Sequence, residues 1–186
     1  VTGVTIMKTS LKMDAGDIIR MKSTLIEDDE NLESLYERLS YLGRDLLLET
    51  IPTIVDGTAV YTKQDEEKVT FALNVSKEDE RIDFNKSNQD VYNLIRGLSP
   101  VPGAYCFLNS KRMKIYQAKI DSHEYKGVPG EIVSVSSDSF TVLCGDGAIK
   151  FLDIGLEGKK RCLVKNFLNG VNHNELLGKV LNCEKE

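Results

Sequence analysis

Two lone histidines, four scattered cysteines and the absence of a long apolar run set the first limits on this 186-residue chain. His123 and His173 are isolated in sequence, so neither has the partner spacing of a zinc site. Cys106, Cys144, Cys162 and Cys183 lie far apart and form no CxxC pair. So few thiols in so long a chain read as reduced cysteines of a cytoplasmic protein, not as a disulfide scaffold. No apolar stretch approaches the roughly 18 residues of a membrane span. Residues 1–15 lack an apolar core followed by a small-residue cleavage site. The expectation is a cytoplasmic chain with no bound metal and no membrane partner.

What is present reads as globular. Hydrophobic residues make up 41% of the chain and charged residues 28%, enough for one or two domains with a buried core. The chain starts at Val1, already inside a strand-like segment from Thr2 to Thr9. Such an abrupt start reads as a fragment. Net charge is −5, but it is unevenly spread. Residues 1–95 carry 11 basic and 19 acidic residues, a balance of −8, and residues 96–186 carry 13 and 10, a balance of +3. An acidic half followed by a basic half points to two modules, the second able to face a polyanion.

Residues 3–10 and 18–26 read as two strands of a hairpin, with Val4 and Ile6 alternating with Thr5. The turn between them is Met13-Asp-Ala-Gly-Asp17, where Gly16 is expected to supply positive φ. Residues 29–49 read as a helix, because Leu32, Leu35, Leu39, Leu42 and Leu46 fall on one face. Asp28 or Asp29 is the expected cap, and Pro52 is expected to end or kink the helix. Residues 58–86 are polar and read as an extended linker. A second helix over 87–98 has Ser87 as cap, Asp90 at the capping-box position and Val91, Leu94, Ile95 and Leu98 as its buried face. Beyond it come five short apolar runs: 104–108, 113–120, 131–135, 140–144 and 148–154. Turn residues separate them, so a small antiparallel barrel is expected, with a short helix over 163–169.

Asp14 and Asp17 flank the glycine turn. Aspartate fills turns because its carboxylate bonds nearby amides, and a carboxylate at a strand end is also where a general base can sit. Nothing local selects between these roles. Gly145-Asp-Gly147 reads as a hairpin turn, since no helix follows it to hold an anion. The densest basic cluster is Lys159-Lys-Arg161 with Lys165, and Lys111, Arg112, Lys114 and Lys119 lie in the same half. A solvated rim and an oligonucleotide-binding face both fit these charges. Most aromatics of this half fit the buried periodicity, so contacts to nucleic acid would be to phosphates, not stacked bases.

Several ordered segments then match one family. They are Thr2-Gly-Val-Thr-Ile-Met, Met13-Asp-Ala-Gly-Asp-Ile, Ser76-Lys-Glu-Asp-Glu-Arg-Ile-Asp83 with Phe84, Ile95-Arg-Gly-Leu-Ser-Pro-Val-Pro-Gly-Ala104, Pro129-Gly-Glu-Ile, Gly158-Lys-Lys-Arg and Phe167-Leu-Asn-Gly170. In order and spacing the chain resembles the C-terminal part of the methionyl-tRNA formyltransferases. The resemblance implies an α+β chain, in which the remnant of an α/β formyltransferase domain (hairpin and helix) is linked to a small OB-like antiparallel β-barrel. Its expected division is 1–57 for the end of the catalytic domain, 58–86 for a linker and 87–186 for a tRNA-binding barrel. It also implies formyl transfer from 10-formyltetrahydrofolate to the amine of methionyl-initiator tRNA, without metal, by an enzyme that is a monomer when complete. Asp14 takes the place of the family's catalytic aspartate, and Lys12, Met13, Asp14, Ala15 and Gly16 would lie against the folate. Lys111, Arg112, Lys114, Lys159, Lys160, Arg161 and Lys165 would meet the tRNA.

The family's catalytic Asn and His correspond to positions ahead of Val1, so the chain alone is expected to be inactive. It is also expected to self-associate through its open strand edge and Leu face, or to be disordered over roughly its first 50 residues. Two alternatives are a related formyltransferase acting on a nucleotide sugar and a stand-alone RNA-binding barrel.

Overall fold

The structure, a computed structural model, describes residues 1–182. It separates into two compact units, Val1–Asn74 and Val75 onward. Among the described residues no helix is long and apolar enough to cross a membrane.

The first unit is a hairpin with one helix on it. Strands β1 (Thr2–Met7) and β2 (Ile18–Thr24) pair antiparallel. Helix α1 runs Leu32–Val55. Its cap is Asn31, not Asp28 or Asp29: Asn31 accepts the Ser34 N–H while Ser34 Oγ accepts the Asn31 N–H. This reciprocal box satisfies two of the amides left over at a helix start. Pro52 does not end the helix. It lies inside the last turn, and its carbonyl accepts the Asp56 N–H at 2.9 Å. The leucine face does pack, with Leu46 2% exposed and Leu35, Leu39 and Leu42 half-buried. Val4 of β1 closes against Gly43. Leu32 at the start of that face is exposed, as are Tyr36, Leu48 and Val55 elsewhere on α1.

Residues 58–64 belong to this unit. Ile18 and Thr62 exchange backbone hydrogen bonds of 2.7 and 2.8 Å, so the start of the expected linker is a third line of chain beside β2. Its end belongs to the second unit. The Ile82 N–H donates to the Tyr105 carbonyl and the Tyr105 N–H to Glu80, which seats Ile82 (0% exposed) and Phe84 (4%) in the barrel core.

The second unit opens with α2 (Asn88–Leu98), capped by Ser87, which accepts the Asp90 N–H. Val91, Ile95 and Leu98 are buried beneath it, each stabilising the unit by about 1.5–3 kcal/mol. The strands follow at the expected places: β3 (Ala104–Leu108), β4 (Lys111–Asp121), β5 (Ile132–Val135), β6 (Phe140–Leu143) and β7 (Ala148–Leu156). A short β8 (Cys162–Leu163) runs into α3 (Val164–Leu168), and α4 spans His173–Leu176. Sheet order is β3-β4-β7-β6-β5, with β8 on β7.

The tail links the two ends of this barrel-like sheet. Gly178 and Lys179 exchange hydrogen bonds with Ile132 beside β5, and Leu181 donates to Gly130. Asn182 then exchanges two with Phe107 of β3. The tail thus bridges the sheet's first and last strands and covers part of each open edge. Inside lie Phe140, Phe151, Met113, Ile115, Ile149 and Ile154, each at most 1% exposed.

Candidate functional site

Two groups of residues carry the functional expectations, one in each unit. The first is the β1–β2 turn. The Lys8 N–H donates to the Asp17 carbonyl at its base. Gly16 is required here, though not for positive φ. A Cβ at Gly16 would lie 1.5 Å from the Lys8 carbonyl oxygen, so only glycine lets the two sides close. Positive φ falls instead on Asp14, at 55°, a conformation aspartate tolerates better than most residues.

Gln64 pins the turn from the crossing chain. Its Nε2 donates to the carbonyls of Asp14 (2.8 Å) and Gly16 (2.7 Å). The Lys12 carbonyl accepts from Ser10 Oγ at 2.7 Å. Three carbonyls within 12–16 are therefore already engaged, while the side chains of Lys12, Met13 and Asp14 project into solvent. A ligand at this turn would meet those side chains more than a row of carbonyls. Gln64 was not legible as a site residue, since it sits in a polar segment with no pattern around it.

The second group lies on the outside of the barrel. In paired strands, residues directly opposite point to the same side. Tyr105, Lys114 and Gly155 form one such row across β3, β4 and β7. Beside it, Arg112 places its guanidinium 4.8 Å from the Tyr105 ring, and its backbone N–H donates to Glu157. Lys114 Nζ donates to the Pro102 carbonyl at 2.6 Å. Tyr116, two residues along β4 from Lys114, points to the same side. Arg161 lies 4.2 Å over that ring, and its Nε and Nη2 both donate to Asp153 Oδ2.

Arg112, Lys114 and Arg161 are thus brought together on one face. Exposed Lys159 and Lys160 occupy the loop between β7 and Arg161. Lys111 follows the Asn109-Ser110 turn and Lys165 lies on α3, both exposed. Among the described residues no hydrogen bond or ion pair ties either to that face. Tyr116, Asp153 and Gly155 were missed in the sequence. Their only signal was an outward tyrosine two residues from Lys114.

The sequence profile of the formyl transferase C-terminal domain matches residues 74–172, more than half of the chain and most of the second unit. The chain belongs to this family. Formyl transferase relatives match well beyond that domain. The methionyl-tRNA formyltransferase of Streptococcus agalactiae is 43% identical over 176 residues, 95% of this chain and 56% of the relative. That of Staphylococcus aureus is 42% identical over 181 residues, 97% of this chain and 58% of the relative. The chain spans a little over half the length of the curated relatives it matches. Among solved structures, HypX from Aquifex aeolicus with tetrahydrofolic acid superposes with a TM-score of 0.71 at 20% identity, over 90% of this chain and 30% of that one. The methionyl-tRNA formyltransferase from Clostridium thermocellum gives 0.52 at 20% identity, over 66% of this chain and 52% of that one. At such identities these two show a shared fold and no more.

Proposed function

We propose that this chain is the part of a cytoplasmic methionyl-tRNA formyltransferase that supplies an aspartate turn to the reaction and a barrel that holds the tRNA. The observation that carries the reading is the match to such enzymes at 42–44% identity, which covers 95–97% of this chain and so runs through both units. The first unit then contributes the end of the catalytic domain and the second the tRNA-binding domain. The complete enzyme acts as a monomer in translation initiation.

In this reading 10-formyltetrahydrofolate donates the formyl group, and the amine of methionyl-initiator tRNA receives it. Asp14 orients a catalytic histidine, holds a water and assists proton transfer. The turn suits that task, because Gln64 and the close Gly16–Lys8 contact hold its backbone while the Asp14 side chain faces outward. Lys12 and Met13 stand beside it for the folate. Arg112, Lys114, Lys159, Lys160 and Arg161 form the phosphate-facing side of the barrel, with Lys111 and Lys165 at its margins.

A chimera tests the catalytic half. The segment of the S. agalactiae relative that precedes its match to this chain is joined ahead of Val1, and formylation of methionyl-tRNA is measured. Activity is expected, with Asp14→Asn lowering it by about 100-fold or more. An active chimera indifferent to Asp14→Asn removes the catalytic role. A salt titration of initiator-tRNA binding tests the barrel. Each phosphate contacted on a duplex contributes a slope of about −0.9 in log K against log salt, and a flat titration removes the tRNA reading.

A further inference from the structure

We propose that Asp153 and Tyr116 are positioning residues that hold the Arg161 guanidinium in one orientation for a phosphate of the RNA backbone. The inference rests on the tRNA-binding reading above and goes beyond it, from which charges face the RNA to how one of them is aimed.

An acidic residue is out of place on a surface meant for a polyanion. Asp153 nevertheless sits on the outer side of β7, beside the Lys114–Gly155 pair, and is 9% exposed. Its Oδ2 accepts from Arg161 Nε at 2.9 Å and Nη2 at 2.7 Å. Its Oδ1 is buried and makes no hydrogen bond among the described residues. Burying a carboxylate is costly unless it is paired. The pair cancels in charge, so the gain it offers is direction. A guanidinium is a planar fork whose value for phosphate depends on orientation.

Tyr116 fixes that plane from below, and the site is shaped around its ring. A Cβ at Gly103 would lie 3.2 Å from Tyr116 Cε1, and one at Gly155 would lie 3.1 Å from Cε2. The ring thus lies between two glycines, one along each edge. Ser99 Oγ donates to the Tyr116 carbonyl at 2.7 Å, securing the backbone that carries the ring. Above the ring the Arg161 side chain remains 48% exposed. Lys159 and Lys160, on a flexible stem type in an exposed loop, are charges without a set direction.

The test uses a fluorescein-labelled RNA stem-loop and the sign of one effect. If Asp153 only dilutes the positive charge of the face, Asp153→Asn removes a negative charge and strengthens binding. If it positions Arg161, the same change weakens binding by about tenfold, the factor one charge-assisted hydrogen bond carries. Unchanged or tighter binding by a folded Asp153→Asn protein overturns the proposal. Should that variant not fold, Tyr116→Phe and Tyr116→Leu replace it. Phe keeps the stacked ring and is expected to bind like the parent, whereas Leu is expected to weaken binding with the salt slope unchanged. A Leu variant that binds like the parent overturns the proposal as well. Lys159→Ala with Lys160→Ala separates the two readings. If that pair and Arg161→Ala all leave stem-loop binding intact, the RNA-binding reading itself fails, whatever Asp153 does.

Discussion

The two units are built on opposite economies of burial. The hairpin–helix unit has only Gly16, Leu46 and Thr50 fully buried, and its conformation depends on backbone closeness and a few polar ties. The barrel unit buries a continuous cluster running from Ile82 to Leu181. A surface turn that must present Asp14 needs local rigidity without bulk. A barrel that must hold a charged face at fixed spacing needs a packed interior beneath it.

That contrast predicts unequal stability, most sharply in native-state hydrogen exchange. Amides of β3, β4 and β7 are expected to exchange far more slowly than those of β1 and β2, because local opening costs least where few apolar contacts are lost. Equal protection in the two units would break the comparison. Within the barrel, Ile82→Ala is expected to cost about 2–5 kcal/mol, the range for emptying a packed site. Thermal unfolding of the second unit reads it, and a change near zero would return residues 80–84 to the status of a linker.

In the first unit, Gly16→Ala drives a Cβ into the Lys8 carbonyl and is expected to cost more than about 1 kcal/mol. Its signature is loss of the Lys8 and Asp17 amide pairing while the barrel amides stay protected. Gln64→Ala is milder, about 1 kcal/mol for exposed hydrogen bonds, and is seen as faster exchange confined to the turn.

Acid separates the units in another way. Burial alone would raise the pKa of Asp121. The His123 ring at 2.7 Å, the His123 N–H, Lys150 and the Thr141 hydroxyl outweigh it and hold the carboxyl well below the usual carboxylate range. A carboxylate with a lowered folded pKa adds stability above its unfolded value and loses it as pH falls through that value toward the folded one. Barrel stability is therefore expected to decline below about pH 4. Asp121→Asn should flatten that decline, and an unchanged acid profile would discount the network. Thiol chemistry makes the smallest distinction. Burial pushes the Cys144 thiol up to about 12, so half-exposed Cys162 should react with a thiol reagent before Cys144 does.

Much of the barrel was legible because its five strands are short apolar runs separated by turn residues, and α2 was legible because cap and apolar face agree. Mean polarity hides the apolar residues within 58–86. Two apolar residues, Ile82 and Phe84, are enough to draw an otherwise charged segment into the core. The turn's aspartate was legible only by resemblance, and its supporting Gln64 not at all, because a contact spanning 50 residues leaves no local pattern.

The sequence by itself determined the strands and helices, the charge asymmetry and the basic residues of the second half. These follow from spacing along the chain. Only the tertiary structure decided that the tail bridges the two ends of the sheet, that Gly16 is required by the Lys8 backbone, and that Arg161 pairs with Asp153 while stacked over Tyr116. Each joins residues that no short local pattern relates, and packing alone brings such groups together.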